Sequence, residues 1–188
     1  MDRFSNRSPP NARRSGLRKT AVMTNMIRRL IAVCLLQEGP QSLPASWNLL
    51  AVIVAVDVAL GYPAAAAFSP SSQAAAQVIV STVLAAGFVY FAVDLRGHRE
   101  RFVQTATALF GTDALITLAA LPIVATMAPE ARSQVTVADF GMLVIGLWNL
   151  VILGHILRHA LSITLSAGVL IALGYTLGSV LLTGAVVS

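Results

Sequence analysis

Charge is scarce in this chain: 11% of its 188 residues are charged, against about 25% in a soluble domain. That is too little to cover a water-facing surface. Aromatic residues are few as well, at 6%, while 56% of the chain is hydrophobic and the mean hydropathy is +0.77. Such a composition excludes disorder and collagen-like repeats. Cys34 stands alone, so an intramolecular disulfide and a cysteine metal cluster are both excluded, and in an apolar stretch it reads as a small hydrophobe. Catalytic signatures are missing too. The sequence has no GxSxG, HExxH, phosphate loop or Rossmann glycine pattern.

What charge there is lies mostly at one end. Of thirteen Lys and Arg, eight precede residue 30: Arg3, Arg7, Arg13, Arg14, Arg18, Lys19, Arg28 and Arg29. Net charge is +5 with a pI near 10.4. Concentrated beside apolar segments, this block fits a cytoplasmic anchor or contact with anionic lipid, with no nucleic-acid partner. Residues 1–20 mix Ser, Asn, Pro, Gly and Arg, and read as a disordered basic arm. A signal peptide fits poorly, because the apolar core Leu30–Leu36 is minimal and Gln37-Glu38-Gly39-Pro40 follows it. Met23 and Met26 are plausible alternative starts.

Residues 21–37 are amphipathic. Asn25, Arg28, Arg29 and Ala32 share one helical face, and Met23, Met26, Ile27, Leu30, Ile31 and Cys34 fill the other. The segment is too short and too charged to span, and is expected to lie in the interface. Gly39, Pro40 and Pro44 then break the chain.

Five apolar runs follow, at about 47–68, 75–95, 102–127, 140–157 and 161–187. Each is long enough to cross about 30 Å of hydrocarbon as a helix, and none alternates as a barrel strand would. The expected fold is all-α, a polytopic five-helix transmembrane bundle over 47–187 with an N-terminal interfacial amphipathic helix. Orientation follows from counting. With the N-terminus cytoplasmic, the inner side holds the eight early charges plus Arg96, Arg99, Arg101 and Arg158, and only Arg132 lies outside. The expected turn between the last two spans is Arg158-His159-Ala160.

Polar groups inside these spans carry the chemical information. Asp57 lies ten residues past Trp47, Asp113 eleven past Phe102, and Asn149 nine before Arg158. At 1.5 Å per residue all three sit about 13–16 Å deep, near the midplane, where an acid costs about 2.5–3.5 kcal/mol. One reading is a proton- or cation-handling site with Asn149 as hydrogen-bonding neighbour. The other is polar glue between helices, a role open also to Thr112 and Thr117. His155 and His159 share a helix face and with His98 form a candidate metal or haem set. The competing reading is an interfacial polar cap with Arg158. Gly174 and Gly178, in GYTLG, make a GxxxG suited to helix packing. Pro63 and Pro122 are expected to kink spans one and three.

The stretches LRGHRERFVQTATALFGTDALI (Leu95–Ile116), GHILRHAL (Gly154–Leu161) and EGPQSLPASW (Glu38–Trp47) resemble a small uncharacterised inner-membrane protein family of proteobacteria. The five-span layout is similar to the Yip1 superfamily, whose eukaryotic members bind small GTPases and shape transport vesicles. The first resemblance implies a bacterial inner membrane and brings no activity; the second is one of architecture and brings no site residue. The basic arm departs from the acidic one expected of Yip1-type proteins.

Together these readings point to an integral inner-membrane protein without cofactor or enzymatic activity. Its expected role is that of a scaffold, assembly factor or accessory subunit, with a membrane-protein partner or a second copy. The alternative is a small proton-coupled permease using Asp57 and Asp113. A redox or metal protein built on the three histidines is the third.

Overall fold

The computed structural model describes residues 11–127 and 135–187, with backbone alone for 11–22 and 187. It is all-helical, and five of its helices are long and apolar enough to cross a membrane. Helix α1 runs Asn11–Cys34, α2 Trp47–Ala66, α3 Ser71–Leu95, α4 Phe102–Val124, α5 Val137–Leu161 and α6 Leu165–Val187. Short 3-10 turns at Pro40–Ser42 and Arg99–Arg101 precede α2 and α4. Residues 1–10 of the basic arm, and Arg132 with its loop, lie outside the described residues.

Local chemistry sets the helix ends. The Ser46 hydroxyl accepts from the Leu49 amide and starts α2. Thr136 and Asp139 form a reciprocal capping box at the start of α5, where an acid also suits the helix dipole. Ser162, at φ 55° in the left-handed region, ends α5. That places the last turn at 162–164 rather than at Arg158-His159-Ala160. The earlier residues stay helical because Arg101 donates to the His159 and Ala160 carbonyls and to Ser162 Oγ, at 3.2–3.4 Å. Pro63 and Pro122 also mark helix ends. Each falls in the final turn of its helix, so the helical part of spans one and three ends within a turn of its proline.

Helix α4 is the axis of the bundle. Every residue from Thr105 to Thr112 is buried, which one helix face alone cannot achieve; α1, α2, α3 and α5 all pack on it. Helix α6 lies against α5 and α3. Large apolar side chains such as Val52, Ile79, Val83, Leu147 and Leu181 point outward and stay more than half exposed. No soluble protein presents so continuous an apolar exterior to water. Lipid is the solvent that fits, and the chain is an integral membrane protein.

Helix α1 is more than an interfacial passenger. Its apolar arc divides: Leu30 and Val33 are buried in the core with Phe110, Ile152 and Ile156, while Met23, Ile27, Ile31 and Leu35 remain outside. Leu30 fits against Gly111, where an added Cβ would come within 2.6 Å of its Cδ2. The helix also begins at Asn11, ten residues before the amphipathic segment read from the sequence. After α1 the backbone turns at Leu36, φ 61°. The lead-in is then tied to the bundle by Gln104 Nε2 donating to the Leu43 carbonyl at 2.9 Å and by Arg29 donating to the Ser42 carbonyl.

Core packing is uneven along the bundle axis. The end carrying Arg96, Arg99, Arg101 and Arg158, here termed the basic end, holds Val89, Val93, Leu157, Ala160 and Ala172, all essentially inaccessible. The opposite, far end, where α3 begins and α6 finishes, is looser. That asymmetry shapes the site.

Candidate functional site

Asp57, Asp113 and Asn149, on α2, α4 and α5, line one cavity of about 200 Å³. Asn149 Nδ2 donates to Asp113 Oδ1 at 3.2 Å. Asp57 is only 9% exposed and has no hydrogen-bond partner among the described residues. Its charge and that of Asp113 act on each other. Among the described residues no buried side-chain oxygen or nitrogen lacks a partner, so the Asp57 oxygens, bonded to nothing, open into the space of the cavity. Counting residues from the span ends thus located three groups that the structure brings to one place.

The walls of the cavity were not legible from depth alone. Tyr175 of α6 enters it and stacks on Phe88 of α3, with ring centroids 4.3 Å apart. Toward the basic end this stack and the buried Ala85, Val89 and Ala172 bring α3 and α6 together. Toward the far end the two helices separate into a polar cleft. Ser81 and Asp57 also line a second cavity of about 280 Å³ that reaches Gln77 and Phe68. Gln77 and Ser81 in turn line a third, of about 480 Å³, with Ser69, Gln73, Ser179 and Thr183. Ser81 lines all three cavities, and so sets them side by side from the far end to the carboxyls.

This row of cavities has a consistent hydrogen-bonding character. Ser81 and Thr82 donate their hydroxyl protons to the Val78 carbonyl, Thr176 to Ala172 and Ser179 to Thr176, at 2.8–3.0 Å. Each hydroxyl spends its one proton on its own helix, which leaves oxygen lone pairs facing the cleft. Asn149 likewise directs an N–H to Asp113 and keeps its carbonyl oxygen free to accept. Among the described residues no Lys, Arg or His lines either of the two cavities that contain the carboxyls. The site is rich in hydrogen-bond acceptors, which suits a ligand that brings donors.

A signal for these walls does exist in the sequence. Gln73, Gln77 and Ser81 recur every four residues on α3, and Thr176, Ser179 and Thr183 at intervals of three and four on α6. Both sets mark one helical face. Each residue is only mildly polar, so span detection passes over them.

The histidines are not assembled in the same way. His155 Nε2 donates to the Glu38 carbonyl at 3.1 Å, which fixes the lead-in against α5. His98 Nδ1 sits 3.6 Å from Glu100 Oε1. The His155 and His159 rings meet edge to face at 4.6 Å, but among the described residues no group of three His, Cys, Asp or Glu converges to hold a metal. His155 thus serves a contact with the lead-in, and His98 lies beside Glu100 at the surface. Gly174 and Gly178 also differ from expectation. Among the described residues nothing lies within 4 Å of a Cβ added at either, so neither is the point of a close helix approach within the bundle. The close approach of α5 and α6 occurs instead at Gly154 and Gly168, where a Cβ on Gly154 would meet the Val169 backbone at 2.9 Å. Thr112 donates within α4, to the Leu109 carbonyl, and joins no second helix.

Compared with protein-family models, with curated proteins and with solved structures, the chain matches none.

Proposed function

We propose that the chain is a small non-enzymatic permease whose coupling or transported cation binds between Asp57 and Asp113. One observation carries this reading: Asp57, only 9% exposed and without a hydrogen-bond partner among the described residues, opens its carboxyl to a cavity that also holds Asp113 and shares Ser81 and Ser179 with the cleft along α3 and α6. A carboxyl serving only as glue between helices would be bonded across one. The same reading takes the basic end as cytoplasmic and the far end as the outer side, on the charge asymmetry of the loops. It places the chain in a bacterial inner membrane. Proteoliposomes containing the full chain test it: an imposed pH gradient drives a proton flux that Asp57→Asn and Asp113→Asn each abolish while the protein stays monodisperse and helical. Absence of flux from the unmodified chain overturns it.

A second reading, the scaffold or accessory subunit, is favoured by the open Gly174 and Gly178 face of α6, and agrees with the Yip1-like layout. It calls for a membrane-protein partner or a second copy seated there. Gly174→Leu then lowers the oligomeric state measured by light scattering in mild detergent, and a chain that is monomeric throughout removes it.

A further inference from the structure

The cavity is amphipathic, and this narrows what it can hold. Its lining combines Asp57, Asp113, Asn149, Ser81 and Ser179 with the apolar Leu109, Phe110, Leu153 and Ile156. A bare metal cation uses oxygens alone and would leave the apolar residues of the lining without a role. An ammonium group with a short hydrocarbon tail matches both kinds of lining at once. Its three N–H donors meet acceptors, and its tail rests on the apolar residues. Size agrees: at about 30 Å³ per water-sized unit, the 200 Å³ cavity takes a ligand of roughly six heavy atoms.

Resting on the permease reading above, we propose that the Asp57–Asp113 cavity binds a small primary alkylammonium ion, its charged head between the carboxyls and its tail on Leu109, Phe110, Leu153 and Ile156. The ligand arrives through the α3–α6 cleft, whose Gln73, Gln77 and Ser81 solvate the head on the way. The Phe88–Tyr175 stack stops it from passing on toward the basic end.

The test titrates the full chain in lipid nanodiscs with methyl-, ethyl- and propylammonium chloride by calorimetry, using sodium chloride, tetramethylammonium chloride and ethanol as comparators. Saturable binding of the primary ammonium ions is expected, tightening about fourfold per added methylene as buried apolar area grows. Affinity falls at least tenfold in Asp57→Asn and in Ser81→Phe, the latter keeping both carboxyls but filling part of the cavity that Ser81 lines; circular dichroism shows that each variant is folded. Sodium binding as tightly as ethylammonium, no gain with chain length, or affinity unchanged in a folded Asp57→Asn overturns the proposal. Proton flux that depends on Asp57 without ethylammonium binding sinks this inference and leaves the permease reading standing. Ethylammonium binding without any flux does the reverse.

Discussion

The Asn149 side-chain amide bonds to the Asp113 carboxylate at 3.2 Å, joining α4 and α5 halfway along their length. Such contacts between spans are worth about 0.6 kcal/mol on average and at most about 1.7. Asn149→Leu is therefore expected to lower stability within that range, read from unfolding of the detergent-solubilised chain. Asp113→Asn, which keeps a carbonyl acceptor, loses less. A loss above about 3 kcal/mol for Asn149→Leu contradicts this account of the pair.

Glycines provide a second contrast. A Cβ at Gly154 collides with the Val169 backbone, whereas one at Gly174 meets nothing. Gly154→Val is expected to destabilise by about 1–3 kcal/mol or more, the usual penalty of overpacking. Gly174→Ala stays within about 0.5 kcal/mol. Thermal unfolding of the two variants decides, and equal effects would contradict the α5–α6 packing described here.

The division of α1 into an inner and an outer apolar face is testable with neighbouring residues. Leu30 is 5% exposed and Ile31 45%. Leu30→Ala opens a cavity against Gly111 and Phe110 and should cost about 2–5 kcal/mol, with Ile31→Ala near neutral. A helix that only rested on the lipid surface would give similar small losses for both.

Much of this architecture was legible in the sequence because a bilayer enforces a simple code: about twenty apolar residues per crossing, and depth at 1.5 Å per residue. That code led to the shared level of Asp57, Asp113 and Asn149. It failed where a decision depends on the neighbour. Arg158-His159-Ala160 carries the polarity of a turn, yet Arg101, from a different helix, holds those carbonyls in helical register. Leu30 and Ile31 are equally apolar, and only contact with α4 separates them. Gly174 and Gly178 match a packing motif, but the helices meet at Gly154 and Gly168, the second of which belongs to the flanking small-residue row Thr164, Gly168, Ala172 and Thr176. The cleft escaped because Gln and Ser at four-residue spacing hardly lower the hydropathy of α3.

Cys34, at the end of α1 and half-buried, has its thiol pushed from 9.0 to about 11 by burial. A raised value means less thiolate at any lower pH. At pH 7.5 its reaction with a water-soluble maleimide should run roughly a hundredfold slower than that of an ordinary thiol, since the thiolate is the nucleophile. The rate then climbs about tenfold per pH unit to near pH 11. A plateau already at pH 9 contradicts the burial of this group.

The central claim is a mid-membrane carboxyl site reached from one end of the bundle only. In a Cys34→Ser background, single cysteines at Gln77, Ser81, Ser179 and Val89 are exposed to a membrane-impermeant thiol reagent from each side of sealed vesicles. The account predicts modification of the first three from the side opposite the basic loops, and none of Val89 from either side. Labelling of Ser81→Cys from the basic side, or equal labelling from both, would contradict it.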